Sequence, residues 1–97
     1  MITLKEACAI AKCELENEKM YVSEECTDLG DSWCFIAIPK DEFERMYYTG
    51  GDVLKISKET GEMEYVYVGL PGQEFFDRWI SSKSVDISEY LKELADD

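Results

Sequence analysis

Residues Gly50 to Val68, Gly-Gly-Asp-Val-Leu-Lys-Ile-Ser-Lys-Glu-Thr-Gly-Glu-Met-Glu-Tyr-Val-Tyr-Val, read as two antiparallel strands closed by the turn Lys58-Glu59-Thr60-Gly61. Asp52 to Ser57 makes the first strand and Glu62 to Val68 the second, and Gly61 supplies the positive φ that a type I turn with a bulge requires. Side chains alternate across a strand, so Met63, Tyr65 and Tyr67 share one face of the second strand while Glu64, Val66 and Val68 share the other.

Upstream of the hairpin, Trp33 to Ile38 is apolar at every position and runs into Pro39, the pattern of a central strand buried on both faces. Met20 to Thr27 reads as its neighbour, joined to it through the turn-forming Asp28-Leu29-Gly30-Asp31. Lys40 to Gly51 mixes acids with Phe43, Met46, Tyr47 and Tyr48 and reads as a helical turn or a loop. At the start of the chain Leu4, Ala7, Cys8, Ala11 and Leu15 recur at helical spacing, which predicts a helix over residues 3 to 17 opened by a Thr3–Glu6 capping box.

Downstream, Gln73 to Ile80 returns to helical spacing with Phe75, Phe76, Trp79 and Ile80 on one apolar face and Pro71 in the first turn. Asp86 and Glu89 form a capping-box-like start to a terminal helix carrying Ile87, Tyr90, Leu91 and Leu94. The expectation is therefore an α+β fold, a single domain over residues 1 to 97. It has an N-terminal helix, a four-stranded antiparallel sheet, and one or two C-terminal helices packed on one face.

Composition narrows the function. Acidic residues outnumber basic ones 22 to 10, for a formal charge of −12, and the only arginines are Arg45 and Arg78. Such a surface repels phosphate backbones and excludes nucleic acid as the expected ligand, whereas a basic protein surface suits it. No apolar run approaches the roughly 18 residues that span a bilayer, and the N-terminus lacks the basic and apolar regions of a secretory signal, so a cytoplasmic chain with no membrane contact is expected. Cys8, Cys13, Cys26 and Cys34 have neither metal-site nor redox-pair spacing and read as reduced thiols.

Histidine is absent, which removes the commonest general base and the commonest transition-metal ligand. Cys34 lies within the apolar strand, where burial raises a thiol's pKa, so it reads as core and not as a nucleophile. Asp41 and Glu42 with Glu44, or Asp28 with Asp31, are the carboxylate sets one would choose for acid/base or metal work. Neither has calcium-loop spacing, and both read as solvated surface. No cofactor, metal or catalytic site is expected.

Aromatic side chains are numerous for the size of the domain, and a patch of them rimmed by acids is the composition of a site for a basic protein. The plainer alternative places Tyr65 and Tyr67 on the helix-facing side of the sheet.

The order of these motifs resembles the YrhB or immunity protein 35 type of small bacterial domain. The matching parts are the helix opened by Met1-Ile2-Thr3-Leu4-Lys5-Glu6-Ala7, the strand Ser32-Trp33-Cys34-Phe35-Ile36, the Gly-rich lead into Val53-Leu54-Lys55-Ile56, the turn Thr60-Gly61-Glu62, and Leu70-Pro71 before the late helix. The family's segment before the third strand ends in proline where this chain has Asp52, and the stretch Lys40 to Thr49 is its own. The resemblance implies a non-enzymatic inhibitor that binds a cognate toxin effector domain. On that expectation Asp41, Glu42, Glu44, Tyr47 and Tyr48 are the partner-binding residues, because an aromatic and acidic loop beside a sheet can vary without harming the core. The alternative is a small-ligand or regulatory module using a pocket between sheet and helices.

Overall fold

The computed structural model describes residues 1–47 and 52–95, with the backbone alone at residues 47 and 52. Helix α1 spans Leu4–Asn17. Its capping box is complete: Thr3 Oγ1 accepts the Glu6 N–H at 3.1 Å and Glu6 Oε1 accepts the Thr3 N–H at 3.1 Å. The stripe read from the sequence is the buried one, with Ala7, Cys8, Ala11 and Leu15 turned to the sheet; the small side chains let the helix lie close to it.

Strands β1 (Met20–Asp28), β2 (Ser32–Pro39), β3 (Asp52–Ser57), β4 (Met63–Tyr67) and β5 (Lys83–Asp86) form one antiparallel sheet in the order β4-β3-β2-β1-β5. As expected from its unbroken apolar run, β2 is the middle strand. Trp33, Phe35 and Ala37 face α1, whereas Cys34 and Ile36 face the other way. Between β3 and β4 the chain reverses at Gly61, whose φ of +78° is left-handed backbone that a side chain disfavours. A short helix α2, Glu42–Tyr47, follows β2 and lies within the stretch read as a helical turn.

Two expectations are corrected. The sheet has five strands, not four, because Lys83–Asp86 pairs with Glu25–Asp28 of β1 before the terminal helix begins. This strand is only four residues long and Val85 is its sole apolar residue, so it offers no alternation to read. It also pairs with β1 beyond an irregularity between Val22 and Cys26, and the Ile87 N–H donating to the Glu24 carbonyl at 2.8 Å continues the join. The terminal helix α4 is Ser88–Ala95, and the Asp86 carboxylate accepts the Ser88 N–H at 2.9 Å.

The second correction concerns the helices, which do not share one face. Tyr90, Leu91 and Leu94 of α4 join α1 over Phe35, Leu54, Ile56 and Ile87. Helix α3, Glu74–Ser81, lies across the opposite face, where Phe75 and Trp79 pack on Leu29, Cys34 and Val53. A central strand apolar on both faces requires cover on both, and α3 supplies the second. Ile80, expected on the packed side of α3, is exposed.

Pro71 precedes α3 instead of starting it. Leu70 to Gln73 has the arrangement of a type II turn, with Pro71 second, Gly72 third at φ +92°, and the Gln73 N–H donating to the Leu70 carbonyl at 3.0 Å. Arg78 then ties α3 down, donating to the Leu29 carbonyl and to the Asp31 carboxylate, each at 2.8 Å.

Candidate protein-binding surface

The residues expected to meet a partner divide into those that build α2 and those that it displays. Asp41 is a builder: its carboxylate accepts the Glu44 N–H at 3.0 Å and its carbonyl accepts the Arg45 N–H at 3.0 Å, capping the helix. Arg45 turns back on the exit of β2, donating from Nε to the Pro39 carbonyl at 3.0 Å and from Nη2 to the Lys40 carbonyl at 3.1 Å. With both ends of this six-residue helix fixed, Glu42 and Glu44 stand in solvent beside Phe43 and Met46, which are 68% and 77% exposed. Tyr48 lies outside the described residues, as does the side chain of Tyr47.

Sequence reasoning named the acids of α2 but passed over Phe43 and Met46 as its contact area. The plainer alternative, Tyr65 and Tyr67 on the helix-facing side of the sheet, agrees with the register that sets Tyr65 opposite Leu54, but α1 does not cover them. Helix α1 packs over β1, β2 and β3, and β4 lies beyond it as an edge strand. Met63, Tyr65 and Tyr67 therefore remain 46%, 49% and 61% exposed. Only the flank of α1 touches the row, through the Tyr65 hydroxyl donating to Glu14 Oε1 at 3.2 Å. Partial burial, then the charge and acceptance of Glu14 and the charge of Glu18, push the Tyr65 hydroxyl up to about 12. The signal that finds this row is geometric. Five strands at about 4.8 Å spacing are wider than the diameter of one helix, so a hairpin at the sheet edge is left uncovered.

Cys8, Cys26 and Cys34, and the carboxylates Asp28 and Asp31, are engaged in the fold. Cys34 is fully buried, and burial pushes its thiol up to about 12; the same cause takes Cys8 to about 11 and Cys26 to about 12. None of the three is an activated nucleophile. Asp28 accepts from Lys58 Nζ at 2.7 Å, and that hydrogen bond, followed by the Gly30 N–H, holds its carboxyl below the usual range. Asp31 is held low by the Ser32 hydroxyl and then by Arg78. The pair considered as an acid/base set is thus two separate ties, Asp28 to the β3–β4 turn and Asp31 to helix α3. Among the described residues no group of three His, Cys, Asp or Glu side chains is placed to hold a metal ion.

On the α3 face an open cleft of about 390 Å³ lies beside the helix, lined by Thr27, Ile36, Trp79, Ile80, Ser82 and Ser84 among others. On the α1 face Leu15, Phe35, Leu54 and Ile56 are fully buried, and a smaller open cavity of about 120 Å³ lies between α1, β1 and α4, lined by Lys12, Glu16, Tyr21, Val22 and Leu91. No helix among the described residues is long and apolar enough to cross a membrane. No protein-family model matches the chain, and neither the curated proteins nor the solved structures contain a significant match.

Proposed function

We propose that this chain is a non-enzymatic acidic binding protein, an immunity protein of the YrhB or immunity protein 35 type that neutralises a cognate toxin effector domain in the cytoplasm by direct contact. The observation that carries the reading is α2. Phe43 and Met46 offer apolar contact area between the carboxylates of Glu42 and Glu44, on a short helix that Asp41 and Arg45 fix in place. A partner with a basic cleft is drawn to a chain of charge −12 before contact, and the exposed apolar groups then hold it. Tyr47 and Tyr48, named as contacts from the sequence, are kept in the proposed contact.

Co-purification from the native host followed by identification of the bound polypeptide tests the reading directly, with a basic effector domain as the expected result. Its association rate is expected to fall roughly tenfold or more as NaCl rises from about 20 mM to about 500 mM, and Glu42→Lys is expected to weaken the complex while leaving the unfolding temperature in place. A rate indifferent to salt removes charge from the mechanism, and an unchanged affinity in Glu42→Lys removes α2. A second reading, a module for a small ligand or a regulatory contact, draws on the open cleft beside Trp79. Its mark would be a compound that shifts Ile36 and Trp79 signals and protects α3 against exchange.

A further inference from the structure

The two edges of the sheet differ. Strand β5 is short, begins with Lys83 and leads directly into α4, features that blunt an edge. Strand β4 carries no lysine, and no described strand or backbone hydrogen bond meets its outer side.

The ladder fixes which groups of β4 point outward. The Ser57 N–H donates to the Glu62 carbonyl at 2.9 Å, and the register pairs Lys55 with Glu64 and Val53 with Val66. Hydrogen-bonded and non-hydrogen-bonded pairs alternate in an antiparallel ladder, so Glu64 and Val66 direct their backbone groups inward on β3, while at the bulged end the Glu62 carbonyl does so and its N–H donates to Thr60 Oγ1. Met63, Tyr65 and Tyr67 fall on the intervening pairs, opposite Ile56, Leu54 and Asp52, and direct their N–H and C=O groups away from the sheet. The residues with free backbone groups are thus the same three that expose apolar side chains, and Glu14 stands beside the middle one.

We propose that β4 is a docking edge for an extended basic segment of a partner protein, which adds as a sixth strand through the backbone groups of Met63, Tyr65 and Tyr67. This rests on the basic-partner reading above and gives that partner a second, separate point of contact. Alternation dictates what the segment carries. Residues opposite Met63, Tyr65 and Tyr67 lie on the α1 side, where aliphatic stems or a guanidinium stack on the tyrosine rings within reach of Glu14 and Glu18. Those opposite Glu64 lie on the α3 side, where a cation shares its carboxylate, 65% exposed, with Lys55 Nζ at 3.5 Å on β3. Charge argues against a second copy as the occupant. Two chains of −12 repel, and self-pairing of β4 centred on Glu64 or on Met63 sets acids of the two copies opposite one another, which leaves the register centred on Tyr65 opposed by net charge alone.

The test uses two short peptides, one alternating arginine and valine and one alternating glutamate and valine, added to the intact protein. The arginine peptide is expected to bind at low salt and the glutamate peptide not. The amide protons of Met63, Tyr65 and Tyr67, fast to exchange in the free protein, become protected on binding. Tyr65→Ala with Tyr67→Ala is expected to weaken binding roughly tenfold or more. Its unfolding temperature, measured alongside, shows that the loss is not one of folding, and Glu14→Gln, which removes the charge but keeps an oxygen to accept from the Tyr65 hydroxyl, weakens binding in the same direction. Arginine-peptide binding that leaves the three amides exchanging freely, or survives the double variant, overturns the β4 edge and leaves the basic-partner reading standing. Equal affinity for both peptides, or for neither, overturns both readings. Concentration-dependent protection of the same amides without peptide assigns the edge to self-pairing and overturns the proposal.

Discussion

Replacing Trp33 with alanine tests the core at the point where most of the fold converges. Trp33 is 8% exposed, packs with Phe35 and Ile56 under α1, and lies beneath Lys58 Nζ, 4.9 Å from the ring centroid. A buried tryptophan removes about 150–250 Å² from water, which at about 25 cal/mol per Å² is roughly 4–6 kcal/mol, an upper-end figure because the unfolded chain is itself partly collapsed and alanine keeps the Cβ; the expected loss is about 3–5 kcal/mol. Losing the cation over the ring adds about 0.5–1 kcal/mol. No buried charge is orphaned, because Lys58 keeps Asp28 at 2.7 Å, so burial accounts for nearly all of the loss. Against a total stability of about 5–15 kcal/mol for a domain of this kind, the variant sits near the threshold of folding. Urea unfolding followed by far-ultraviolet circular dichroism reads both proteins, and Trp79 still gives a fluorescence signal in the variant. Trp33→Phe, which keeps a ring under the cation, is expected to recover more than half of the loss. A loss below about 1 kcal/mol for Trp33→Ala at unchanged m-value would refute the placement of this side chain in the core.

Gly61→Ala is expected to cost about 1 kcal/mol in the same unfolding assay, all of it backbone strain at φ +78°, since the added methyl meets Ile2 Cγ2 at an ordinary 3.5 Å. Asp28 and Asp31 have folded pKa values below their unfolded ones, so the stability they add is complete above about pH 4 and is lost as pH falls through the lowered folded values. Asp28→Asn should therefore flatten the acid limb of the stability-versus-pH curve, and an unaltered limb would discount the Lys58 tie. Added NaCl is expected to raise the unfolding temperature by screening the self-repulsion of a −12 chain, whereas a fall on adding salt would mean that ion pairs such as Asp28–Lys58 outweigh it.

What the sequence made legible follows from how local each signal is. Helix α1 announced itself through Leu4, Ala7, Cys8, Ala11 and Leu15 and through Thr3 with Glu6, all within one segment. The hairpin did so through Gly61 and the alternation of Met63, Tyr65 and Tyr67. The side on which a helix packs is not local. Phe75 and Trp79 have the same spacing whichever face they cover, and only the two-sided apolar character of Trp33 to Ile38 bears on the choice. Strand β5 was hidden because its stability comes from the backbone ladder to β1 and from Val85 alone. For the candidate surface, the acids Asp41, Glu42 and Glu44 were visible as residue types, but Asp41 is occupied in capping α2. The exposure of Phe43 and Met46 depends on how Arg45 folds that helix back, which no spacing encodes.

The negative charge of this chain and its open sheet edge bear on one another. An uncovered strand with outward backbone groups and apolar neighbours is an aggregation hazard, usually met by placing lysine or proline on the edge. Here Glu62 and Glu64 occupy that role on β4, and like charge between copies opposes edge-to-edge pairing. An acidic guard differs from a basic one in what its charge favours, because it repels other anions, copies of the chain included, and attracts cations. On the proposed reading, self-avoidance and partner choice rest on the same few carboxylates, and a basic segment would gain the ladder of Met63, Tyr65 and Tyr67 that charge repulsion denies a second copy. Charge reversal at Glu62 and Glu64 must therefore alter both properties together, which a surface evolved for solubility alone would not require.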